Sequence, residues 1–384
     1  MPGSRRGRGS TVVSARDVAR GVRVLIAGGG TGGHLMPALE LARELEERGS
    51  PVMLVGGLRG RDGQILERLH QPHRLIPAPI LERRRWWANV ALPLRLGRAF
   101  AAARRILREF RPQVVVGTGG YVSVPVGLAA RAAGLPLVLQ EQNRDPGVAT
   151  RLLSRWAKAI CVGFDETAVA LPDRPVVVTG NPVAPARPTR ADFAARLDPG
   201  RATLGIFGGS QGARGINDAM VALWGERPQA VPNLVWQTGS LDEARVRDAA
   251  AWPERVVIRD FFTPMTAVYP LLDAAVCRAG AMTLAELAAW GVPAVLVPYP
   301  FATADHQTAN ARALERTGAA VVVPEAELTP ERLGAAVRGV LEDLEARQAM
   351  AAAARRLGRP GATAEVADRV IAAAGCAEPR VETS

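Results

Sequence analysis

The chain has 384 residues, 48% hydrophobic and 22% charged, a length that predicts two or three domains with sizeable cores and a composition that excludes a disordered or fibrous protein. Lysine plus arginine is 48 against 37 acids, a net charge of +11, with Lys158 the single lysine, and this balance favours anionic partners. Cys161, Cys277 and Cys376 form no Cys-x-x-Cys pair, which excludes a disulfide scaffold or thiolate zinc cluster, and no apolar run reaches the ~18 residues of a membrane span.

In chain order, residues 1–21 read as a flexible basic extension without the apolar stretch of a secretory signal. Val22 to Ala27 predicts a strand ending in the glycine loop Gly28-Gly-Gly-Thr-Gly-Gly-His34. A helix follows, with Leu35, Leu39, Ala42 and Leu45 on one face and Gly49 as its stop, then a strand at 52–55. Further strands are expected at 114–116, 135–140, 159–162 and 176–179. The character changes at Gly180-Asn-Pro-Val-Ala-Pro185, and a Pro-rich hinge is expected near 182–188. A second series opens with the strand 203–207 and the loop Gly208-Gly-Ser-Gln-Gly-Ala213, and continues with strands at 234–238, 256–258, 274–277, 294–297 and 320–323. The expected organisation is two similar doubly wound α/β domains, 22–181 and 182–361, with a closing helix at 362–374 packing back on the first. Ligands of such sheets bind beyond the carboxyl ends of the strands, so a cleft between the domains suits two substrates.

Gly28, Gly30 and Gly33 fit the dinucleotide pattern, but no acid follows the second strand until Asp62, which counts against a nicotinamide cofactor. Gly117-Thr-Gly-Gly-Tyr-Val-Ser123 offers bare amides and the Tyr121 and Ser123 hydroxyls, as an anion site requires. Gln140-Glu-Gln-Asn143 gathers amide and acid side chains at a strand end. In the second half, Gly280 permits a tight turn, so Ala281 to Thr283 would present helix N-terminal amides to a diphosphate. Glu286, one turn on, can accept from both hydroxyls of a ribose. Asp305-His-Gln307 suits sugar hydroxyls. No Asp-x-Asp pair, zinc spacing or P-loop is present, so neither metal nor cofactor is expected, and the absence of an RNP signature argues against nucleic acid.

These segments, Gly29 to His34, Gly119 to Ser123, Glu141 to Asn143, Gly180 to Val183, Gly208 to Ala213, Arg278 to Glu286 and Asp305 to Gln307, together closely resemble the MurG family over about Val22 to Ala374. The resemblance implies a GT-B fold, two Rossmann-like domains facing across a cleft. It implies an inverting transferase moving GlcNAc from UDP-GlcNAc to the C4 hydroxyl of lipid I, giving the lipid II of peptidoglycan synthesis. It also implies a peripheral place on the cytoplasmic face of the plasma membrane. Carried over by residue, Thr31, Gly32, Gly33 and Asn143 would contact the substrates in the cleft. Ser210, Ala281, Met282, Thr283, Leu284, Ala285, Glu286, His306 and Gln307 would hold UDP-GlcNAc, with the Phe262 backbone reading the uracil. Two positions depart from the pattern: Gln140 stands where many relatives have His, and Ala184 where they often have Arg.

The chemistry requires a base for the acceptor proton and a partner for the departing UDP. His34 is the preferred base and Glu141 the second, because imidazole titrates near working pH. Arg278 and the helix dipole at Thr283 would meet the leaving-group charge. The run Ile80-Leu-Glu-Arg83-Arg84-Arg85-Trp86-Trp87, with Leu92, Leu94, Leu96 and Phe100 after it, mixes basic, aromatic and aliphatic residues as an anionic membrane surface demands. The alternative is a core helix whose arginines snorkel outward.

Overall fold

The computed structural model describes residues 21–375 except 31, 59–61, 69, 80–89, 185–186, 210–211 and 303–304. Short runs between turn residues, mostly apolar, become β1 (Val24–Ala27), β2 (Val52–Gly57), β3 (His73–Ile76), β4 (Val114–Gly117), β5 (Leu137–Glu141), β6 (Ala157–Val162) and β7 (Val176–Val178). They form one parallel sheet in the order β3-β2-β1-β4-β5-β6-β7. Successive side chains leave opposite faces. Val24 and Ile26 pack with Leu35, Leu41 and Leu45 of the helix Gly32–Glu47, while Leu25 and Ala27 pack with Val122 and Val126 of the helix Gly120–Ala132. Covering both faces explains why the strands read as unbroken apolar runs.

The second series, β8 (Thr203–Phe207), β9 (Asn233–Gln237), β10 (Val256–Arg259), β11 (Ala274–Cys277), β12 (Ala294–Leu296) and β13 (Ala320–Val322), repeats the scheme in the order β10-β9-β8-β11-β12-β13, again parallel. The fold is therefore two Rossmann-like sheets, the GT-B class. In each sheet the order reverses beside its first strand, β1 next to β4 and β8 next to β11. The helices following those neighbours lie on opposite faces, so their loops part and open a crevice. Both crevices face one cleft of about 2080 Å³.

Strand β3 lies outside the sequence expectation. His73-Arg-Leu-Ile76 is an edge strand with only Ile76 fully buried, so its apolar signal is weak. The chain passes between the sheets at 180–183 and again at 358–362, where Gly180 lies against Arg359 and Ala362. The helix Ala362–Gly375 then packs on the first sheet, with Val366, Val370 and Ile371 in one cluster with Val24, Ile26 and Val138. Thr363 donates to the Val183 carbonyl at 2.7 Å, and Arg48 pairs with Asp368.

Candidate active site

His34 sits in the first turn of the helix Gly32–Glu47, where β1 hands over to the crevice. Its ring lies beside the loop after β4. Gly119 and Gly120 both take positive φ, and a side chain at Gly119 would meet His34 Nδ1 at 2.7 Å. Glycine there gives the imidazole its room. Nδ1 faces two oxygens, the Thr118 carbonyl at 3.2 Å and Gln142 Oε1 at 3.0 Å. Both are acceptors, which places the proton on Nδ1 and the lone pair on Nε2. The half-buried ring lines the cleft.

Glu141, at the end of β5, is buried and heavily engaged. Its carboxylate accepts from the Asn143 amide at 3.1 Å, Asn143 Nδ2 at 3.3 Å, the Gly147 amide at 2.9 Å and the Thr150 hydroxyl at 2.6 Å. Four donors on two oxygens shape the loop 142–147 and hold Asn143 at the cleft wall. They leave the carboxylate little capacity as a proton acceptor.

Across the cleft, the helix Ala281–Trp290 starts from Gly280, which supplies no capping side chain. Its first-turn N–H groups and the helix dipole are turned to the cleft, an arrangement suited to phosphate oxygens. One turn on, Glu286 accepts the Tyr269 hydroxyl at 2.6 Å. Burial pushes its carboxyl up to about 7; the Tyr269 hydrogen bond opposes this and the Glu40 charge from the facing domain adds to it. Phe262 is buried against Phe193, and its amide donates to Gln237 Oε1 at 3.0 Å. Gln307 Oε1 accepts the Tyr299 amide at 3.0 Å, and His306 and Gln307 line the same cleft.

Residues 24–162 match the Glycosyltransferase family 28 N-terminal domain, and residues 203–368 match the Glycosyltransferase family 28 C-terminal domain. A relative from Chlorobaculum parvum is 42% identical over 91% of this chain and 99% of its own length. One from Syntrophotalea carbinolica is 40% identical over 91% of this chain and 97% of its own. Both are named UDP-N-acetylglucosamine–N-acetylmuramyl-(pentapeptide) pyrophosphoryl-undecaprenol N-acetylglucosamine transferase. The crystal structure of Acinetobacter baumannii MurG superposes with a TM-score of 0.71 at 32% identity, covering 91% of this chain and 98% of that one. The chain belongs to the MurG family.

Several positions expected to touch substrate in a MurG family protein have other partners here. Arg278 is ion-paired through both terminal nitrogens with Glu325, bonds the Val297 carbonyl at 3.1 Å and stacks on Tyr299. Its charge is already matched within the second domain. Ser123 is fully buried, its single hydroxyl proton shared between the Ala27 and Gly119 carbonyls at 2.9 and 2.6 Å, which makes it a brace within the first domain. Tyr121 packs its ring against Gly30, which takes positive φ, and against Gly57. Leu284 points into the second core, while Ala281, Met282 and Thr283 line the cleft and Ala285 is half-buried beside them. Gly33 and Asn143 line the cleft and Gly32 opens its helix. Thr31, Ser210, Arg83, Arg84, Arg85, Trp86 and Trp87 lie outside the described residues.

Four contributors were given no role of their own from the sequence. Asp62 is buried and accepts the Gly30 amide at 2.8 Å and the Gly57 amide at 2.9 Å, fixing the glycine loop. Tyr269 holds Glu286, and Gln142 and Asn181 contact the His34 surroundings. The last two stand inside the Glu-Gln-Asn and Gly-Asn-Pro-Val motifs, where a signal was available. Tyr269 has none, because its partner is 17 residues away.

Proposed function

We propose that the protein transfers GlcNAc from UDP-GlcNAc to the C4 hydroxyl of lipid I, inverting the anomeric centre and producing lipid II. The carrying observation is the cleft in which a histidine with its Nδ1 proton tied back faces an uncapped helix N-terminus and a half-buried carboxylate. His34 Nε2 accepts the proton of the acceptor hydroxyl as its oxygen attacks the anomeric carbon. The bond from that carbon to the UDP oxygen breaks on the opposite face. The amides of Ala281 to Thr283 receive the growing diphosphate charge, and Glu286 holds the ribose. Glu141 shapes the acceptor wall through Asn143.

The acceptor is lipid-linked, and we assign a peripheral place on the cytoplasmic membrane face. No helix of the described residues is long and apolar enough to cross a membrane. Next to the basic and aromatic run at 80–87, Val90 and Leu94 are exposed, and Leu92 and Leu96 line the cleft. An apolar rim there suits an acceptor delivered from the interface. Incubation with UDP-GlcNAc and a short-chain lipid I analogue tests the reading: a disaccharide product supports it, and UDP-GlcNAc hydrolysis without transfer contradicts it.

A further inference from the structure

A continuous chain of buried amide side chains runs from His34 to the crossing between the two domains. Asn181 Nδ2 lies 3.0 Å from the Gln142 backbone carbonyl and 3.4 Å from that of Ala281 in the second domain. Carbonyls only accept, so the orientation of the Asn181 amide is fixed, with Oδ1 turned to Gln140 Nε2 at 3.0 Å. Gln140 must then offer Oε1 to Gln142 Nε2, which also donates to the Thr118 carbonyl at 2.8 Å. The remaining Gln142 atom, Oε1, faces His34 Nδ1. Gln140, Gln142 and Asn181 are 0%, 2% and 4% exposed, so water does not readily substitute for any link.

We infer that Gln142, oriented through Gln140 by Asn181, is the positioning residue that fixes His34 in the Nδ1–H tautomer. The inference rests on the reading of His34 as base, and it gives Gln140 a function: its amide transmits one polarity, whereas a histidine could adopt either tautomer or a charge. The second anchor agrees independently, since Thr118 contributes a carbonyl to both His34 Nδ1 and Gln142 Nε2. Nothing in the chain need change protonation during a turnover. It holds the base with Nε2 open and is connected to the first residue of the nucleotide-facing helix through Ala281.

The test is nitrogen-15 NMR of histidine-labelled full-length protein, in which His34→Ala assigns the needed signal among those of four histidines. Wild type is expected to show a protonated Nδ1 and an unprotonated Nε2 at His34. Gln142→Met keeps the side-chain length but removes the nearer of the two acceptors facing Nδ1, leaving the Thr118 carbonyl at 3.2 Å. It is expected to mix the tautomers and lower kcat about 10- to 100-fold, on the scale seen for partners behind metal-bound histidines, with UDP affinity and donor KM unchanged. Gln140→Met removes the side chain that orients the Gln142 amide and is expected to mix the tautomers in the same way; this variant carries the test if Gln142→Met does not fold. A protonated Nε2 in wild type, or a Gln142→Met protein with wild-type shifts and kcat, overturns the inference. An active His34→Ala would instead overturn the base reading, while the nitrogen shifts would still judge the amide chain.

Discussion

The Tyr269 hydroxyl donates to Glu286 Oε2 at 2.6 Å, within a cleft that also receives the uncapped start of the Glu286 helix. Burial raises the Glu286 carboxyl from 4.5 to about 7. Ribose hydroxyls donate to the ionised form, so nucleotide binding favours it and releases protons when the free site is partly protonated. UDP affinity is therefore expected to rise between about pH 6 and about pH 8. The unliganded protein should behave oppositely. The unfolded chain loses this proton near 4.5 and the folded one near 7, so this group's contribution to stability falls as pH rises across that window. Calorimetry of UDP binding in buffers of different ionisation enthalpy reads the proton release. A pH-independent affinity with no proton exchange removes Glu286 from the ribose.

Glu286→Ala is expected to weaken UDP binding by about 1.5–3 kcal/mol per lost ribose hydrogen bond. Tyr269→Phe removes the hydrogen bond that lowers the Glu286 pKa, so it should weaken binding near neutrality and recover at higher pH. Equal affinity of Glu286→Ala and wild type contradicts the assignment.

Arg278 and Glu325 predict a stability phenotype. Arg278 is 14% exposed and its partner 28%, so deleting either one leaves a mostly buried charge unmatched. Arg278→Ala or Glu325→Ala should destabilise the fold by about 3 kcal/mol, discounted for the partial exposure of the glutamate. Denaturant titration measures this. UDP affinity of the folded fraction should be retained; its selective loss with normal stability would return Arg278 to the diphosphate.

Much of this was legible in the sequence because parallel strands covered on both faces are written as unbroken apolar runs, and β8 and β11 appear as expected at 203–207 and 274–277. The edge strand β3 was not, since one fully buried residue in four leaves little pattern. Motifs locate loops but do not say which atoms face the ligand. Ser123 and Leu284 lie in matching segments, yet their side chains complete the cores. Arg278 was assigned from its place after β11, and its partner Glu325 is 47 residues distant, beyond any local signal.

If the amides of Ala281 to Thr283 hold the diphosphate as proposed, no divalent ion is needed. UDP and UDP-GlcNAc are expected to bind in excess EDTA with affinity unchanged. Calorimetry checks this, and loss of binding on chelation contradicts it.

The membrane assignment predicts that reversing Arg83, Arg84 and Arg85 to Glu weakens association with anionic liposomes, each basic residue near the surface contributing about 1 kcal/mol. Turnover of a water-soluble acceptor should be spared. Liposome flotation with wild-type recovery would favour the core-helix alternative.

If His34 takes the acceptor proton, kinetics paired with donor binding on His34→Ala will separate the base from a residue that only positions substrate. With a short-chain lipid I analogue, turnover is expected to fall by roughly two or more orders of magnitude, while UDP-GlcNAc affinity stays at the wild-type value because the donor is assigned largely to the second domain. Near-normal turnover in His34→Ala, with Glu141→Ala inactive at preserved stability, would move the base from His34 to Glu141.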